Sequence, residues 1–170
     1  MGLFDKLTGT KRPSPGIEPL PDEDLLDALL ALNGPDVPFL VREGTVAEGA
    51  DVVAELRAED PAWRTFFVRT QLTWDIKTRI RLVPERNEAR ALDEQWKVSW
   101  VGDPPRMVRM KEYSRGPSTR VSREWTIGRG ESGRVEATEV HRFDSREMRD
   151  PLRNTVLDAG WTWRGVIMGL

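Results

Sequence analysis

The chain has 170 residues, 38% hydrophobic and 32% charged, with seven Trp, one His and no Cys; 26 basic against 28 acidic side chains leave a formal charge of −2. A chain of this length buries roughly 70% of its unfolded surface, so one core suffices, and without Cys there are no disulfides, thiolate metal sites, iron–sulfur clusters or cysteine nucleophiles. No run approaches ~18 apolar residues, Met1–Lys6 lacks a secretory pattern, and Lys6 stands where a myristoylation motif wants Ser or Thr, so the expected location is cytoplasmic.

Residues 1 to 9 form at most a short amphipathic turn with Leu3, Phe4 and Leu7 on one side, a minor candidate for membrane contact. Pro13, Pro15, Gly16, Pro19 and Pro21 make residues 10–21 an extended linker, so 1–21 is expected to be a flexible tail and 22–170 a single domain. The first helix is predicted over 22–33. Asp22, Glu23 and Asp24 sit at its dipole-favoured start, Leu25, Leu26, Leu29 and Leu30 form its apolar stripe, and Asn33-Gly34-Pro35 stops it.

The hydrophobic period then changes from 3.6 to 2. Val37, Phe39 and Val41 mark one strand and Val52, Ala54 and Leu56 a second. Asp60-Pro61 has the form of an N-cap followed by a first-turn proline, opening a short helix with Trp63, Phe66 and Phe67 on one face. Residues 72–82 alternate most cleanly: Leu72, Trp74, Ile76, Ile80 and Leu82 face the core, and Lys77, Arg79 and Arg81 face water. After a turn at Pro84–Asn87, residues 88–101 return with Leu92, Trp96, Val98 and Trp100 assigned inward; a bulge near Asp93 accommodates Ala89 and Ala91, which fall on the other phase. Further strands are predicted at 106–113, 119–127 and 134–143, and a final helix is expected from Asp150-Pro151, with Gly160 kinking or ending it before Trp161 to Met168. The expected fold class is α+β: an antiparallel meander of about six or seven strands, as a curved sheet or barrel, packed on N-terminal, middle and C-terminal helices.

Charge is graded along the chain, −5 over residues 1–50, 0 over 51–100 and +3 over 101–170, which suggests an acidic N-terminal helix opposed to a basic sheet face. Gly128-Arg129-Gly130-Glu131-Ser132-Gly133 matches G-x-G-x-x-G, yet it lies between two strands where a dinucleotide site needs a strand and then a helix, so it reads as a hairpin turn. His141, with Glu139 and Asp144 near it in sequence, is the one candidate general base, with Ser122, Ser132 or Ser145 as conceivable nucleophiles; no nucleophile-elbow motif accompanies them, and no spacing supports a metal or cofactor. Asp93-Glu94 should point to opposite faces of a strand, which separates the two carboxylates.

Eight cations (Arg106, Arg109, Lys111, Arg115, Arg120, Arg123, Arg129, Arg134) stand against Glu112, Glu124 and Glu131, and with Arg79 and Arg81 they suggest a cationic sheet face. A pI near 5.6 and the lack of an RNA-binding signature disfavour nucleic acid, leaving a small anion or acidic partner open. Trp74, Trp96, Trp100, Trp125, Trp161 and Trp163 form the candidate binding set, either as an aromatic core or as the lining of a space between sheet and C-terminal helix suited to an apolar small molecule. The main expectation is therefore a non-enzymatic apolar-ligand or accessory domain. The alternatives are a protein-interaction or homo-oligomeric module using Trp161, Trp163 and Ile167, and an enzyme using His141.

The block Asp51–Trp100 and the ending Ala159-Gly160-Trp161-Thr162-Trp163-Arg164-Gly165-Val166 resemble a family of small uncharacterised bacterial proteins, a likeness that carries no activity with it. The order of elements also resembles START-type lipid-binding domains, whose long C-terminal helix closes a cavity, although this chain has one short helix where that fold has two. A barrel around the C-terminal helix, as in tubby-like domains, is the other architecture implied.

Overall fold

The computed structural model describes residues 2–129 and 134–170, with the backbone alone for 124–129 and 135–141. In chain order the elements are α1 (Leu3–Thr8), α2 (Asp22–Leu30), β1 (Phe39–Glu43), β2 (Val52–Leu56), α3 (Pro61–Arg69), β3 (Trp74–Val83), β4 (Glu88–Val101), β5 (Arg106–Arg115), β6 (Val121–Arg129), β7 (Val135–Asp144), α4 (Arg146–Asp158) and β8 (Thr162–Val166). The fold is α+β. Strands β1 to β5 form an antiparallel meander, β8 adds to β4 in parallel, and the sheet stays open; β6 and β7 pair as a separate hairpin.

Local chemistry accounts for the element starts. Asp60 caps α3 by accepting the Ala62 amide at 2.9 Å, and Arg57 in turn holds the Asp60 carboxylate. The terminal helix begins at Arg146, five residues earlier than Pro151 suggests, and Asp144 accepts the Arg146 amide at 2.9 Å. It also ends earlier. Gly160 adopts φ 77°, a left-handed stop that suits glycine, and Thr162 to Val166 then run as a strand rather than a continued helix. In β8 Trp163 and Gly165 turn inward, and Arg164 between them faces solvent.

The core lies on one face of the sheet, between Val41, Val52, Ala54, Ile76 and Ile80 and the helical residues Leu25, Leu29, Met148, Leu152 and Val156. The register Ile80↔Ala91 and Leu82↔Ala89 puts both alanines on this inner face and sends Leu92 and Trp96 to the other, reversing the phase expected for β4. The irregularity lies between Trp96 and Val98 on β4, opposite β5, and not near Asp93.

The segment expected as an extended linker is extended, and it is pinned to the sheet. Lys11 and Trp163 exchange backbone hydrogen bonds of 2.8 and 2.9 Å, the Leu20 amide donates to Ala159, and the Trp161 indole donates to the Leu20 carbonyl at 2.8 Å. A Cβ on Gly165 would lie 1.7 Å from the Thr8 carbonyl oxygen, so only glycine admits this crossing. At the far edge, the Asn33 amide side chain donates to Val41 O at 2.6 Å and accepts Val41 N at 2.7 Å, occupying backbone positions a further strand would use.

Candidate functional site

The candidate tryptophans divide among different environments. Trp161 and Trp163 are buried in the core and are not offered to a partner; of the trio assigned to an interaction surface only Ile167 is exposed. Trp74 is half-buried with the Arg120 guanidinium 4.0 Å over its ring, and Trp100 donates from its indole to Leu72 O at 3.0 Å beside the core. Trp96 stands on the opposite sheet face, with Arg109 4.0 Å over its ring and Tyr113 5.2 Å away. The side chains of Trp125 and His141 lie outside the described residues, as does the turn 130–133. The five described indoles therefore share no single space. Beneath α4, Met148, Leu152, Val156 and Trp161 fill the interior, and the cavity found there holds about 100 Å³ with Trp163 as its one indole.

The nucleophile candidates are similarly dispersed or structural. Ser145 is buried, its hydroxyl accepting the Arg120 amide at 2.9 Å, and Ser132 lies outside the described residues. Asp93 and Glu94 face opposite ways as expected: Asp93 binds Thr78 and Arg149, and Glu94 binds Arg79 and Tyr113. Among the described residues no group of three or more acidic or His side chains is placed to hold a metal ion. The carboxylates of α2 make no ion pair among the described residues, so the opposition of an acidic helix and a basic sheet is not how the charge gradient is used.

The sheet's outer face carries the charge instead, in cross-strand rows set by register. One row runs Leu40, Glu55, Lys77, Glu94, Arg115 across five strands and alternates in sign. A neighbouring row runs Arg42, Val53, Arg79, Leu92, Val166, where the arginines shield two fully buried aliphatic side chains and are themselves neutralised, Arg42 by Glu48 and Glu55, Arg79 by Glu94. Asp75 lies in a third row with Trp96 and Tyr113; burial pushes its carboxyl above the usual range against the two hydrogen bonds it accepts from Arg109 at 2.8 and 2.6 Å.

The remaining row departs from this compensation. Arg81 on β3, Arg90 on β4 and Arg164 on β8 are register partners, three cations abreast. Their one acidic companion is Glu88, buried at 6% exposure, which accepts Arg90 Nε at 2.8 Å and Arg164 Nη1 at 3.2 Å. Burial works against ionisation of Glu88, but the two guanidinium ions outweigh it and hold its carboxyl below the ordinary value. Among the described residues Arg81 makes one hydrogen bond, to the main-chain oxygen of Leu170 at 3.4 Å, and it borders an open recess of about 540 Å³ shared with Asp51 and Glu43.

The basic residues of β5, which the sequence groups with Arg79 and Arg81, do not join this row. Arg109 is committed to Asp75 and Arg115 to Tyr113, and Arg120 turns to the inner face to meet Gln95 and Trp74. Composition shows Arg79 and Arg81 as outward residues of an amphipathic strand. That Arg90 and Arg164 stand beside Arg81 depends on a parallel pairing between positions some 75 residues apart, which no local pattern signals. No known protein-family model matches this chain, and no match was found among curated proteins or solved structures.

Proposed function

We propose that this protein is a non-catalytic accessory domain that docks an acidic, extended segment of a partner protein on the outer face of its sheet, with Arg81, Arg90 and Arg164 receiving carboxylates. The observation that carries the reading is the row itself. Like charges directly opposite one another across strands destabilise a sheet, and here three guanidinium ions have one carboxylate as ion-pair partner, whereas Arg42, Lys77 and Arg79 on the same face each pair with a carboxylate.

Arginine suits this role because its planar fork accepts a carboxylate with two parallel hydrogen bonds. Three adjacent strands span about 10 Å, and alternate side chains on an extended peptide are about 7 Å apart, so two carboxylates from one side of the peptide fall within the row. Nucleic acid fits less well, because a row of three cations on adjacent strands meets few phosphates of a continuous backbone. An apolar ligand beneath the terminal helix has narrower support, since the space there is small and partly polar.

Fluorescence anisotropy with a labelled peptide of alternating Glu and Ser tests the reading, with the Lys-Ser counterpart and a single-stranded oligonucleotide as comparisons. The acidic peptide should bind, weaken as salt rises, and lose at least tenfold in affinity in Arg81→Ala/Arg164→Ala, while Arg115→Ala leaves it unchanged. Absence of acidic-peptide binding, equal binding of the oligonucleotide, or indifference to the double substitution would each overturn it.

A further inference from the structure

The cavity behind the N-terminal segment is a separate feature, lying on the opposite side of the sheet from the arginine row. Its walls come from four parts of the fold: Thr8, Gly9 and Lys11 from the N-terminal segment, Ala91 and Asp93 from β4, Arg149 and Arg153 from α4, and Trp163 with Gly165 from β8. We propose that this chamber binds a phosphate-type anion.

Three cations and one carboxylate line it, a local charge of +2. The carboxylate is already satisfied, because Asp93 accepts Thr78 Oγ1 at 2.6 Å on one oxygen and Arg149 Nε at 3.1 Å on the other. Arg149 also donates to the Ser118 carbonyl and is thereby held rigidly on the chamber wall. Arg153, one helical turn further along the same face of α4, has only the half-exposed Asp150 outside the chamber at 3.1 Å. Lys11 makes no side-chain hydrogen bond or ion pair among the described residues, although its backbone is fixed on both sides to Trp163. Two cations thus border a recess in which neither is fully neutralised. A volume of about 100 Å³ admits a group the size of a few water molecules, the scale of an oxyanion and too small for a nucleotide.

Such an anion is either free or the headgroup of a lipid. The chamber residues Thr8 and Gly9 are the last residue and the cap of α1, whose Leu3, Phe4 and Leu7 are 77%, 68% and 63% exposed, an apolar group of the kind that enters a membrane interface. Both sources present the same phosphate chemistry to Lys11 and Arg153.

The test uses the full chain. Titration calorimetry with inorganic phosphate at constant ionic strength should show saturable binding that chloride does not reproduce, weakened at least tenfold in Lys11→Gln/Arg153→Gln. Both replaced side chains reach solvent, and near-ultraviolet circular dichroism checks that the variant keeps its fold. Sedimentation with phosphatidylcholine vesicles containing phosphatidic acid separates the sources. Vesicle binding lost in both the double variant and Phe4→Ser assigns the site to a lipid headgroup, and phosphate binding without vesicle binding assigns it to a free anion. The proposal is overturned if neither probe binds, if binding survives in Lys11→Gln/Arg153→Gln, or if it vanishes in Arg81→Ala/Arg164→Ala instead, which would place the anion on the outer face.

Discussion

Replacing Arg81 with Thr should make this protein more stable. Arg81 faces Arg90 directly, and Glu88 is committed to Arg90 and Arg164, so Arg81 brings uncompensated repulsion to the folded state. For two guanidinium ions about 6–8 Å apart at a solvent-facing surface, Coulomb's law in a water-like dielectric gives about 0.5–0.7 kcal/mol. The contact with the Leu170 carbonyl at 3.4 Å is exposed and offsets little, Asp51 across the recess reduces the repulsion somewhat, and threonine is itself a good strand residue. The expected gain is about 0.5 kcal/mol, or about 1–2 °C in Tm for a domain of this size. Thermal and urea unfolding followed by Trp fluorescence in low salt should show this gain. It should disappear near 1 M salt, where the screening length falls to about 3 Å. Arg90→Thr should have the opposite sign, because it strips a charge-assisted hydrogen bond from buried Glu88 and costs about 1.5 kcal/mol or more. A low-salt loss of stability in Arg81→Thr, or a gain that ignores salt, would refute the argument that the row is strained by its own charge.

Other consequences can be checked with similar measurements. Gly165→Ala places a methyl group against the Thr8 carbonyl, so the N-terminal segment must move; limited proteolysis should cut within residues 3–20 faster than in the parent chain. Arg149→Met leaves buried Asp93 with Thr78 as its only partner and should cost about 3–5 kcal/mol, while the added change Asp93→Leu should recover part of that loss in a double-mutant cycle. Hydrogen bonding to Arg42 lowers the Glu48 carboxyl from its ordinary 4.5 to about 2, so the charged form is favoured by folding. The resulting stability is complete above about pH 4.5 and is lost as pH falls toward 2. After allowance for solvent screening it amounts to about 1–2 kcal/mol, and Glu48→Gln should flatten the acid limb of the stability profile by that amount.

Much of the fold can be read from alternation and punctuation. The period-2 pattern of residues 72–82 places β3, Asp60-Pro61 starts α3, and the Pro84–Asn87 turn leads into β4. Misassignment arises where size and burial part company. Leu92 and Trp96 look like core residues, but the register of β4 against β3 turns Ala89 and Ala91 inward instead, and Trp96 is sheltered on the outer face by the flat guanidinium of Arg109. The stretch Trp161 to Val166 continues an apolar helical pattern, and its strand identity follows from a distant parallel partner and the left-handed turn at Gly160. The candidate surface is hidden for a related reason: Arg81 looks like an ordinary outward residue of its own strand, Arg164 lies in a stretch that does not read as a strand, and only the cross-strand register makes the three arginines a row.

The amide of Asn33 closes one edge of this sheet. A sheet edge is chemically an unfinished ladder, and an identical edge on another molecule is its readiest complement. By filling both backbone positions of Val41, one side chain from the end of α2 turns an open polymerising surface into a closed one. The pinned strand position of Lys11 does the same for β8. The opposite edge, β5, has only β4 as a partner in the sheet, and there the cations Arg106, Arg109, Lys111 and Arg115 along the strand discourage the pairing that Asn33 and Lys11 block elsewhere.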